Sequence, residues 1–509
     1  MVVPWLTLLF VVPLCGAIVA LPLNGVRNRV AGLVASCLTM VLAITVVVLS
    51  RFHDLAEQVL WLRRLGAWYA LDIDGLSGPL VIAATVLGCA VLAVGFDLEA
   101  VADAPTDGPD APQRGMRPEA FTTMVLAAEA CVIAALLSSD LVLFFLFFEA
   151  SLVPVYLLIG CWGGRKRSVA ASRFLIFGLA GGFVLLGGIV GVISIVSETE
   201  RPNTLLSALS AIDFSPGTER LLFLLFFVAF AIKGPLIPAH SWLPLVAKEA
   251  NPAVTALVVG MVDGLGGYAM IRFAVGLFPN AAVWAAPGVM ILALANIWYA
   301  GFAAAGARLL SQFACYTSIS HFGFVVLGIF ALTSTSVTGS AMYLSAHALS
   351  VGALLLVCGL VQQATGTAEI GAFRGLRTQA PVLAGLFLIA GLATLALPGF
   401  LNFAAELQVL VGAWERHPVL ALFAIIGTLF GAVYVVLVYQ RLFTGQPRSE
   451  SPIGDDVSVP RRVVVGGLLA LLLFFGCAPR LLQSYIADAE LATVAVAVAD
   501  ATQADEEGE

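Results

Sequence analysis

Charged side chains are scarce in this sequence. Only 11% of its 509 residues are charged, and 60% are hydrophobic, whereas a soluble protein carries about 25% charged residues. So little polar surface cannot cover a globule in water, and the composition therefore excludes an ordinary soluble protein. The net charge of −7 comes largely from an acidic loop near residues 97–110 and from the acidic tail. This distribution predicts no nucleic-acid partner.

Organised cysteine and nucleotide motifs are also lacking. The eight cysteines are scattered and form no Cys-x-x-Cys pair, so neither a disulfide framework nor an iron–sulfur or zinc site is indicated. There is no P-loop, and no Gly-x-Gly-x-x-Gly follows a strand. A Ser-His-Asp elbow, paired hydrolytic carboxylates and a His-x-x-x-His metal site are absent as well. We therefore expect no cofactor, no metal and no redox chemistry on this chain.

Long apolar runs dominate instead. A membrane-spanning helix needs about 20 mostly apolar residues. The segment 51–76 is mixed and is predicted to lie at the interface, and the tail after 486 to be amphipathic, then acidic and disordered. The amino-terminal run lacks a charged leader and a cleavage site, which indicates a first span rather than a signal peptide. We predict an all-α polytopic membrane protein with spans near 3–23, 29–50, 77–97, 119–138, 140–161, 171–196, 219–242, 252–277, 282–306, 309–331, 338–364, 379–411, 417–440 and 461–485.

The distribution of arginine and lysine predicts the orientation of the chain. With the amino terminus outside, sixteen of these residues fall in inside loops and eight in outside loops. Positive charge is enriched in cytoplasmic loops. We therefore expect both termini on the outside.

Prolines interrupt two of the spans. Lys233-Gly-Pro-Leu-Ile-Pro lies within the seventh span, and Leu397-Pro-Gly lies within the twelfth. Proline inside a helix removes a backbone hydrogen bond, and in lipid the freed groups must find protein or water. Paired broken helices are typical of transporters; kinks without a function are the alternative.

Ionisable residues deep in a span are costly and are candidates for function. Lys233 is the strongest of these candidates, because only three of the 25 lysine and arginine residues are lysines. Lysine can release its proton when desolvated, whereas arginine effectively cannot. Lys233 is therefore predicted to exchange protons, with a permanently paired lysine as the alternative. Nothing near Glu149 in the sequence neutralises it, so Lys233 is its expected partner in a switchable pair; a static ion pair is the alternative.

Three histidines and three further acids complete the candidates. His321 and His347 suit a proton relay near neutral pH, although each lies near a serine that could simply satisfy it. His240 lies near the first helix break. Acidic candidates are Glu406, eight residues past Pro398, which could end a relay, and Glu129 and Asp263, for which a structural role is the main alternative.

Six stretches of the sequence form a distinctive combination. They are Asp-Ile-Asp-Gly-Leu-Ser at 72–77, Phe-Glu-Ala-Ser-Leu-Val-Pro-Val-Tyr-Leu-Leu-Ile-Gly at 148–160, Ala-Ile-Lys-Gly-Pro-Leu-Ile-Pro-Ala-His-Ser-Trp-Leu-Pro at 231–244, Gly-Gly-Tyr-Ala-Met-Ile-Arg-Phe at 266–273, Tyr-Thr-Ser-Ile-Ser-His-Phe-Gly-Phe-Val-Val-Leu-Gly at 316–328 and Leu-Pro-Gly-Phe-Leu-Asn-Phe-Ala-Ala-Glu-Leu at 397–407. Together they resemble the antiporter-like membrane subunits of respiratory complex I and the Mrp-type cation/proton antiporters. The resemblance covers about residues 70–445 and is greatest to the subunit M, or chain 4, branch.

The resemblance implies fourteen helices with two inverted five-helix repeats, spans 4–8 and 9–13. The expected parts are residues 1–118 with helices 1–3, repeats 119–277 and 282–445, and 446–509 with helix 14 and the acidic tail.

The resemblance also assigns roles to the candidate residues. It makes Glu149 and Lys233 the family's Glu–Lys pair and places His321 and His347 on its central hydrophilic axis. Glu406 would be the terminal acid that faces the next subunit, and an acid there favours subunit M.

The chain departs from the family pattern at one relay position. The eighth helix of the family has lysine four residues before its tyrosine, where this chain has Gly264 before Tyr268. The family's Trp-Leu-Pro-Asp-Ala-His also becomes Trp-Leu-Pro-Leu-Val-Ala, and its Asp-x-Lys-Arg becomes Leu-Leu-Ser-Gln at 309–312. Ordered water or the adjacent Asp263 would have to bridge this gap.

We therefore expect a proton-translocating membrane subunit of an NADH-quinone oxidoreductase, a translocase, in a bacterial cell membrane. NADH, FMN, iron–sulfur clusters and quinone are expected in partner subunits, which include sister antiporter-like subunits and a quinone-site subunit. Two alternatives are a subunit of an Mrp-type antiporter or other ion-coupled complex, and a divergent subunit that conducts nothing and is purely structural.

Overall fold

Helices form most of the part of the chain that the computed structural model describes, which is residues 3–95, 119–197, 202–447 and 456–488. The acidic loop and the acidic tail expected from the sequence lie outside these residues. The helices are α1 (Trp5–Ala20), α2 (Gly25–Leu49), α3 (Ser77–Gly95), α4 (Glu119–Leu137), α5 (Leu141–Ala150), α6 (Leu152–Cys161), α7 (Arg167–Val196), α8 (Leu206–Leu209), α9 (Pro216–Lys233), α10 (Leu243–Glu249), α11 (Pro252–Leu257), α12 (Gly264–Ala269), α13 (Pro279–Ala305), α14 (Leu310–Phe330), α15 (Ser334–Thr365), α16 (Pro381–Thr394), α17 (Leu401–Arg416), α18 (Pro418–Phe443), α19 (Val459–Cys477) and α20 (Pro479–Asp488).

Eleven helices in the described ranges are long and apolar enough to cross a membrane. The other three predicted spans correspond to α1, which has 16 residues, and to two interrupted helices, α9 with α10 and α16 with α17. The predicted all-α polytopic class is confirmed. The last predicted span differs in detail, because α19 ends at Cys477 and a separate helix begins at Pro479. Proline has no N–H to continue the hydrogen bonding of a helix.

The segment predicted to lie at the interface forms a β-hairpin of β1 (Glu57–Leu62) and β2 (Ala67–Leu71). The strands are antiparallel, with Glu57 opposite Leu71. The hairpin is tied to the start of α5, because Asp140 accepts a hydrogen bond from the Trp68 N–H at 3.1 Å and from the Val142 N–H at 3.0 Å. Burial raises the pKa of the Asp140 carboxyl, while hydrogen bonds that include one from Thr204 lower it.

Two spans lie in the middle of the bundle and have no side toward lipid. The most apolar stretches of Pro252–Val275 and Ser334–Thr365 are 100% buried. In Val459–Cys477 only 22% of that stretch is buried, and in Pro418–Phe443 only 28%. The outer helices therefore have faces on the outside of the bundle, whereas the central pair can hold polar groups away from lipid.

Protein groups satisfy the backbone at the first helix break. After α9 ends at Lys233, a short 3₁₀ helix (Ala239–Trp242) leads into α10. The Asn296 side-chain oxygen accepts from the Ile237 N–H at 3.1 Å, and the Trp242 indole donates to the Ile232 carbonyl at 3.0 Å. Protein side chains thus satisfy two of the backbone groups that the break leaves without a helical partner.

The second break lies between α16 and α17. Ala396 and Gly399 have positive φ values of 53° and 105°, and the Leu397 N–H donates to the Leu392 carbonyl at 3.3 Å. These residues turn the chain before it resumes as a helix at Leu401. The two predicted breaks therefore occur where the prolines placed them.

Candidate functional site

Lys233 occupies the last position of α9, at the edge of the first break, and only 6% of it is exposed. Its ammonium donates to the Phe148 carbonyl at 2.6 Å and to the Ser151 hydroxyl at 3.3 Å. It also lies 3.3 Å from the centre of the Phe148 ring, where a cation is attracted by the ring's negative face. The lysine therefore reaches from α9 to the junction of α5 and α6.

Glu149 lies beside this lysine on α5. Its Oε1 atom has no hydrogen-bond partner among the described residues, and its charge and that of Lys233 attract each other. The lysine's own hydrogen bonds go to Phe148 and Ser151. Gly182 on α7 makes room for the carboxylate, since a Cβ there would lie 2.4 Å from Glu149 Oε2. The predicted partners are thus neighbours, but the lysine is anchored to the residues flanking Glu149.

A second group of ionisable residues lies between α14 and α15. His347 Nε2 and the Ser318 hydroxyl are 3.2 Å apart. The His321 and His347 rings have centroids 5.8 Å apart, and the same distance separates the rings of His321 and Tyr343. Both histidines are buried, and the Nδ1 atom of each has no partner among the described residues. The structure therefore brings the two predicted histidines together.

Glu406 on α17 extends this group outward. Its carboxylate accepts from the Tyr343 hydroxyl at 3.1 Å and from the Thr428 hydroxyl on α18 at 2.6 Å. The His321 ring lies beside the backbone of Thr394, where α16 ends at the second break. We call the connected set the polar row; it consists of His347, His321, Tyr343 and Glu406.

Asp263 is fully buried, and both carboxylate oxygens lack a hydrogen-bond partner among the described residues. It ends a π-helical turn, Val258–Asp263, that precedes α12. At Gly264, where the family has lysine, an added Cβ would meet no atom within 4 Å. The position of the missing side chain therefore opens onto a small cavity, of about 10 Å³ and lined by α3 and α4 as well as by its own span.

Glu129 and His240 have surroundings of their own. Glu129 on α4 accepts from the Ser36 hydroxyl at 3.3 Å, and a Cβ at Gly88 would lie 2.8 Å from it. His240 is half-buried in the 3₁₀ helix and packs edge-on against Tyr299, with ring centroids 5.0 Å apart. The contacts described for these two candidates do not lead into the polar row.

Sequence reasoning missed an ion pair between Arg272, in the π-helical turn Met270–Val275, and Asp74, in the loop before α3. Burial raises the pKa of the Asp74 carboxyl, but the Arg272 guanidinium and hydrogen bonds from Ser77 outweigh it and hold the pKa below its ordinary value. Both residues lie in stretches that carry the family resemblance. However, 198 positions separate them in the sequence, and no spacing pattern joins them.

These features define a class of protein. A bundle with two interrupted helices, a lysine at one break and a polar row at the other has the architecture of an ion-translocating membrane protein.

Comparisons with known proteins narrow the class. The family model described as "NADH:quinone oxidoreductase/Mrp antiporter, TM" matches residues 138–431. NADH-quinone oxidoreductase subunit M of Mycobacterium tuberculosis (strain ATCC 25618 / H37Rv) is 35% identical over 94% of this chain and 92% of its own length. Subunit M of Pseudomonas aeruginosa is also 35% identical, over 83% of this chain and 81% of its own.

Solved structures of two respiratory and antiporter complexes contain chains with the same fold. A chain of respiratory complex I from Thermus thermophilus has a TM-score of 0.86 at 28% identity and covers 97% of this chain and 99% of its own. A chain of the Mrp complex from Dietzia sp. DQ12-45-1b has a TM-score of 0.83 over 98% of this chain and 100% of its own; at 20% identity it shows the fold alone. The chain belongs to the NADH:quinone oxidoreductase/Mrp antiporter transmembrane family, and the predicted resemblance to subunit M is confirmed.

Proposed function

We propose that this chain is the proton-translocating membrane subunit, of the subunit M type, of an NADH-quinone oxidoreductase. Its relatives of that type match it over most of their length at 35% identity, which confirms the predicted kind of subunit. It is part of a complex I-like assembly with other subunits. Electron transfer from NADH through FMN and iron–sulfur clusters to quinone takes place in partner subunits, and this chain contributes the proton movement.

The observation that carries the proposal is the polar row. Histidine and glutamate both exchange protons, and Tyr343 lies between them. Its ring packs against the His321 ring, with centroids 5.8 Å apart, and its hydroxyl donates to Glu406. The row connects the buried centre, at α15, with α17 and α18. A proton can therefore be passed sideways through the bundle without entering lipid.

Lys233 and Glu149 supply the switch. Lys233 is fixed at a helix break, where a small movement of α9 changes its distance from Glu149. In a low-dielectric interior the attraction between two charges depends strongly on that distance. Separating the pair favours release of a proton from the lysine, and closing it favours uptake. Movement of the helices is thereby converted into movement of a proton.

The larger architecture supports the inverted repeats 119–277 and 282–445. Each repeat has five spans, and the interrupted helix, at Lys233 in one and at Thr394 in the other, is the fourth of the five. The same proposal places the chain in a bacterial cell membrane, beside sister antiporter-like subunits and a quinone-site subunit, with both termini outside. Glu406, next to the outer helix α18, faces the neighbouring subunit.

A structural subunit that moves no protons is the second candidate, and the open space at Gly264 favours it. Replacement of Gly264 by lysine restores the family's residue. Unchanged proton flux in that variant would favour the structural role, whereas a gain would favour an incomplete relay. The third possibility, a subunit of an Mrp-type antiporter, is distinguished from these two by identifying the proteins that co-purify with the chain.

The test replaces Lys233 or Glu149 by alanine in the whole complex. Proton uptake into inverted membrane vesicles is followed by quenching of an acridine dye and is divided by the rate of NADH oxidation. A positioned acid–base group speeds proton transfer by about 10²–10⁴-fold. We therefore expect uptake per NADH to fall by the share that this subunit carries, while the complex still assembles. Lys248→Ala, at an exposed lysine, is the matched control, and wild-type uptake in both variants would contradict the proposed pair.

A further inference from the structure

An apolar groove lies on the outer surface of the bundle, where α3 packs between α2 and α19. Its volume is about 590 Å³, and its described lining consists of aliphatic, aromatic and sulfur-containing residues and glycine, without a charged or hydroxyl-bearing side chain. Cys37 on α2 and Gly467 and Phe474 on α19 are exposed along it. Exposed apolar surface of this extent marks a contact with lipid or with another protein.

The length of the groove distinguishes these two kinds of occupant. On α2 its lining runs from Leu33 to Met40, and on α19 it runs from Val463 to Phe474. At a rise of about 1.5 Å per residue these stretches are roughly 10 Å and 16 Å long. Half of a hydrocarbon core about 30 Å thick is about 15 Å. A membrane-crossing helix of another subunit would need a track about twice as long, so the groove fits a lipid chain of one leaflet better.

Exposed arginines mark one end of the groove. Arg29 lies four residues before Leu33 and therefore on the same face of α2. Arg462 directly precedes Val463 on α19, and its Nε donates to the Val457 carbonyl. Both arginine side chains are exposed. Each helix thus has a guanidinium next to its first groove residue.

These two arginines lie at the same membrane surface, because α2 and α19 run in the same direction. At the far ends of the two helices, the hydroxyl of Tyr485, in α20 after α19, is 3.3 Å from the hydroxyl of Ser50, directly after α2. The starts of both helices, with Arg29 and Arg462, therefore lie at the opposite surface. From these arginines to the inner end of the groove the rise is about 16–18 Å on either helix. The groove thus begins at the arginines and ends near the middle of the membrane.

We propose that this groove binds an acyl chain of an anionic phospholipid, whose phosphate lies at the end marked by Arg29 and Arg462. A guanidinium binds phosphate through two parallel hydrogen bonds, and basic residues at the ends of membrane helices attract anionic headgroups. The chain fills the space between α2 and α19. In the orientation proposed above, the lipid belongs to the cytoplasmic leaflet. This inference does not depend on proton movement by the chain.

The test uses the complete complex in lipid nanodiscs of dioleoylphosphatidylcholine that contain a small share of phosphatidylglycerol with a diazirine in its acyl chain. After irradiation, mass spectrometry locates the crosslinked residues. We expect crosslinks on the groove residues of α2 and α19, around Cys37 and Gly467. An excess of unlabelled dioleoylphosphatidylglycerol in the discs lowers their yield to less than half, whereas the same amount of additional dioleoylphosphatidylcholine leaves it unchanged.

Variants separate the contribution of the groove from that of the arginines. Gly467→Leu places a side chain in the groove and should remove the crosslinks, because a Cβ there meets nothing within 4 Å. Gly466→Leu is its matched control, since position 466 is equally open but does not line the groove. The double variant Arg29→Gln with Arg462→Gln should lower the yield to less than half. Arg480→Gln, at an exposed arginine beyond the other end of α19, should leave it unchanged.

Two results would overturn the inference. Equal displacement by the two unlabelled lipids would show that the groove does not select an anionic headgroup. Crosslinks elsewhere on the chain but none in the groove would show that another subunit covers it. Assembly of each variant is checked on native gels, and the competition between unlabelled lipids in the native chain decides the question even where a variant fails to assemble.

Discussion

At the scale of single residues, two carboxylates of this chain, the half-buried Glu149 and the buried Glu129, sit against glycines on a facing helix. Gly182 on α7 faces Glu149, and Gly88 on α3 faces Glu129, with added Cβ atoms 2.4 Å and 2.8 Å from the respective carboxylates. A glycine lets the backbone of one helix approach the end of a side chain on another. The position of each carboxylate is therefore set partly by a residue with no side chain.

Gly182→Ala is expected to displace the Glu149 carboxylate without unfolding the helix. The clash falls on the far end of a flexible side chain, which can rotate away, and alanine favours a helix by about 1 kcal/mol over glycine. Assembly should be unchanged, whereas proton uptake per NADH should fall toward the Glu149→Ala value. Gly187→Ala on the same helix is the control, since a Cβ there meets nothing within 4 Å. Equal uptake in the two variants would contradict a requirement for the observed position of Glu149.

The ionisable residues of the site could be predicted from the sequence, because a charge within an apolar run is conspicuous. Their hydroxyl partners could not. Tyr343 and Thr428 lie 63 and 22 positions from Glu406, and hydroxyls are ordinary in membrane helices, so nothing in the sequence marks these two. The face of the central span on which Asp263 lies could not be predicted either, because the π-helical turn Val258–Asp263 shifts the phase of the helix.

At the scale of elements, the Asp74–Arg272 ion pair fastens the loop before α3 to the central span. Asp74→Asn should lower the free energy of unfolding by about 1.5–3 kcal/mol, the range for losing a hydrogen bond to a charged group. The measurement is the thermal midpoint of the detergent-solubilised complex. Asp54→Asn, in the exposed turn before β1 where Asp54 accepts from the Ala56 N–H at 3.0 Å, is the control and should leave the midpoint unchanged.

The pH dependence of this contribution has a definite sign. The pKa of Asp74 in the folded protein is below its ordinary value of 3.8, so the carboxylate's stabilising contribution is complete above that value and is lost as the pH falls through the folded pKa. The difference between Asp74→Asn and the native chain should therefore be constant from about pH 8 to pH 5. A difference that shrinks within this interval would indicate that the guanidinium does not hold the carboxylate ionised.

Helices and helix breaks could be predicted where residues close together in the sequence determine them. The two breaks follow from prolines, and the long spans follow from apolar length. The hairpin of β1 and β2 was not predicted as strands, because its pairing partners are fixed by contacts with the α4–α5 connection, such as the bond from the Ser139 N–H to the Ala70 carbonyl at 3.0 Å. Tertiary contacts of this kind have no signature in a short stretch of sequence.

At the scale of the whole molecule, the charge distribution predicts how the bundle is oriented. Alkaline phosphatase fused after Glu509 should be active, because it folds only outside the cytoplasm, and a fluorescent protein fused at Gln446 of a truncated chain should be bright. The reverse pattern would place both termini inside and move Glu149 and Lys233 to the opposite halves of the membrane. Expression of each fusion is checked by immunoblot.

The enclosure of the span Pro252–Val275 has a consequence for synthesis. Its mean hydropathy is 1.6, against 2.6 for Gly25–Leu49, and a central aspartate opposes insertion by about 2.5–3.5 kcal/mol. The helix α15 that encloses it, through contacts such as Gly267 with Leu344, leaves the ribosome later. This poorly inserting helix must therefore stay beside the translocon until α15 has been synthesised. A ribosome that stalls before Ser334 would leave the helix without its cover and expose the chain to degradation.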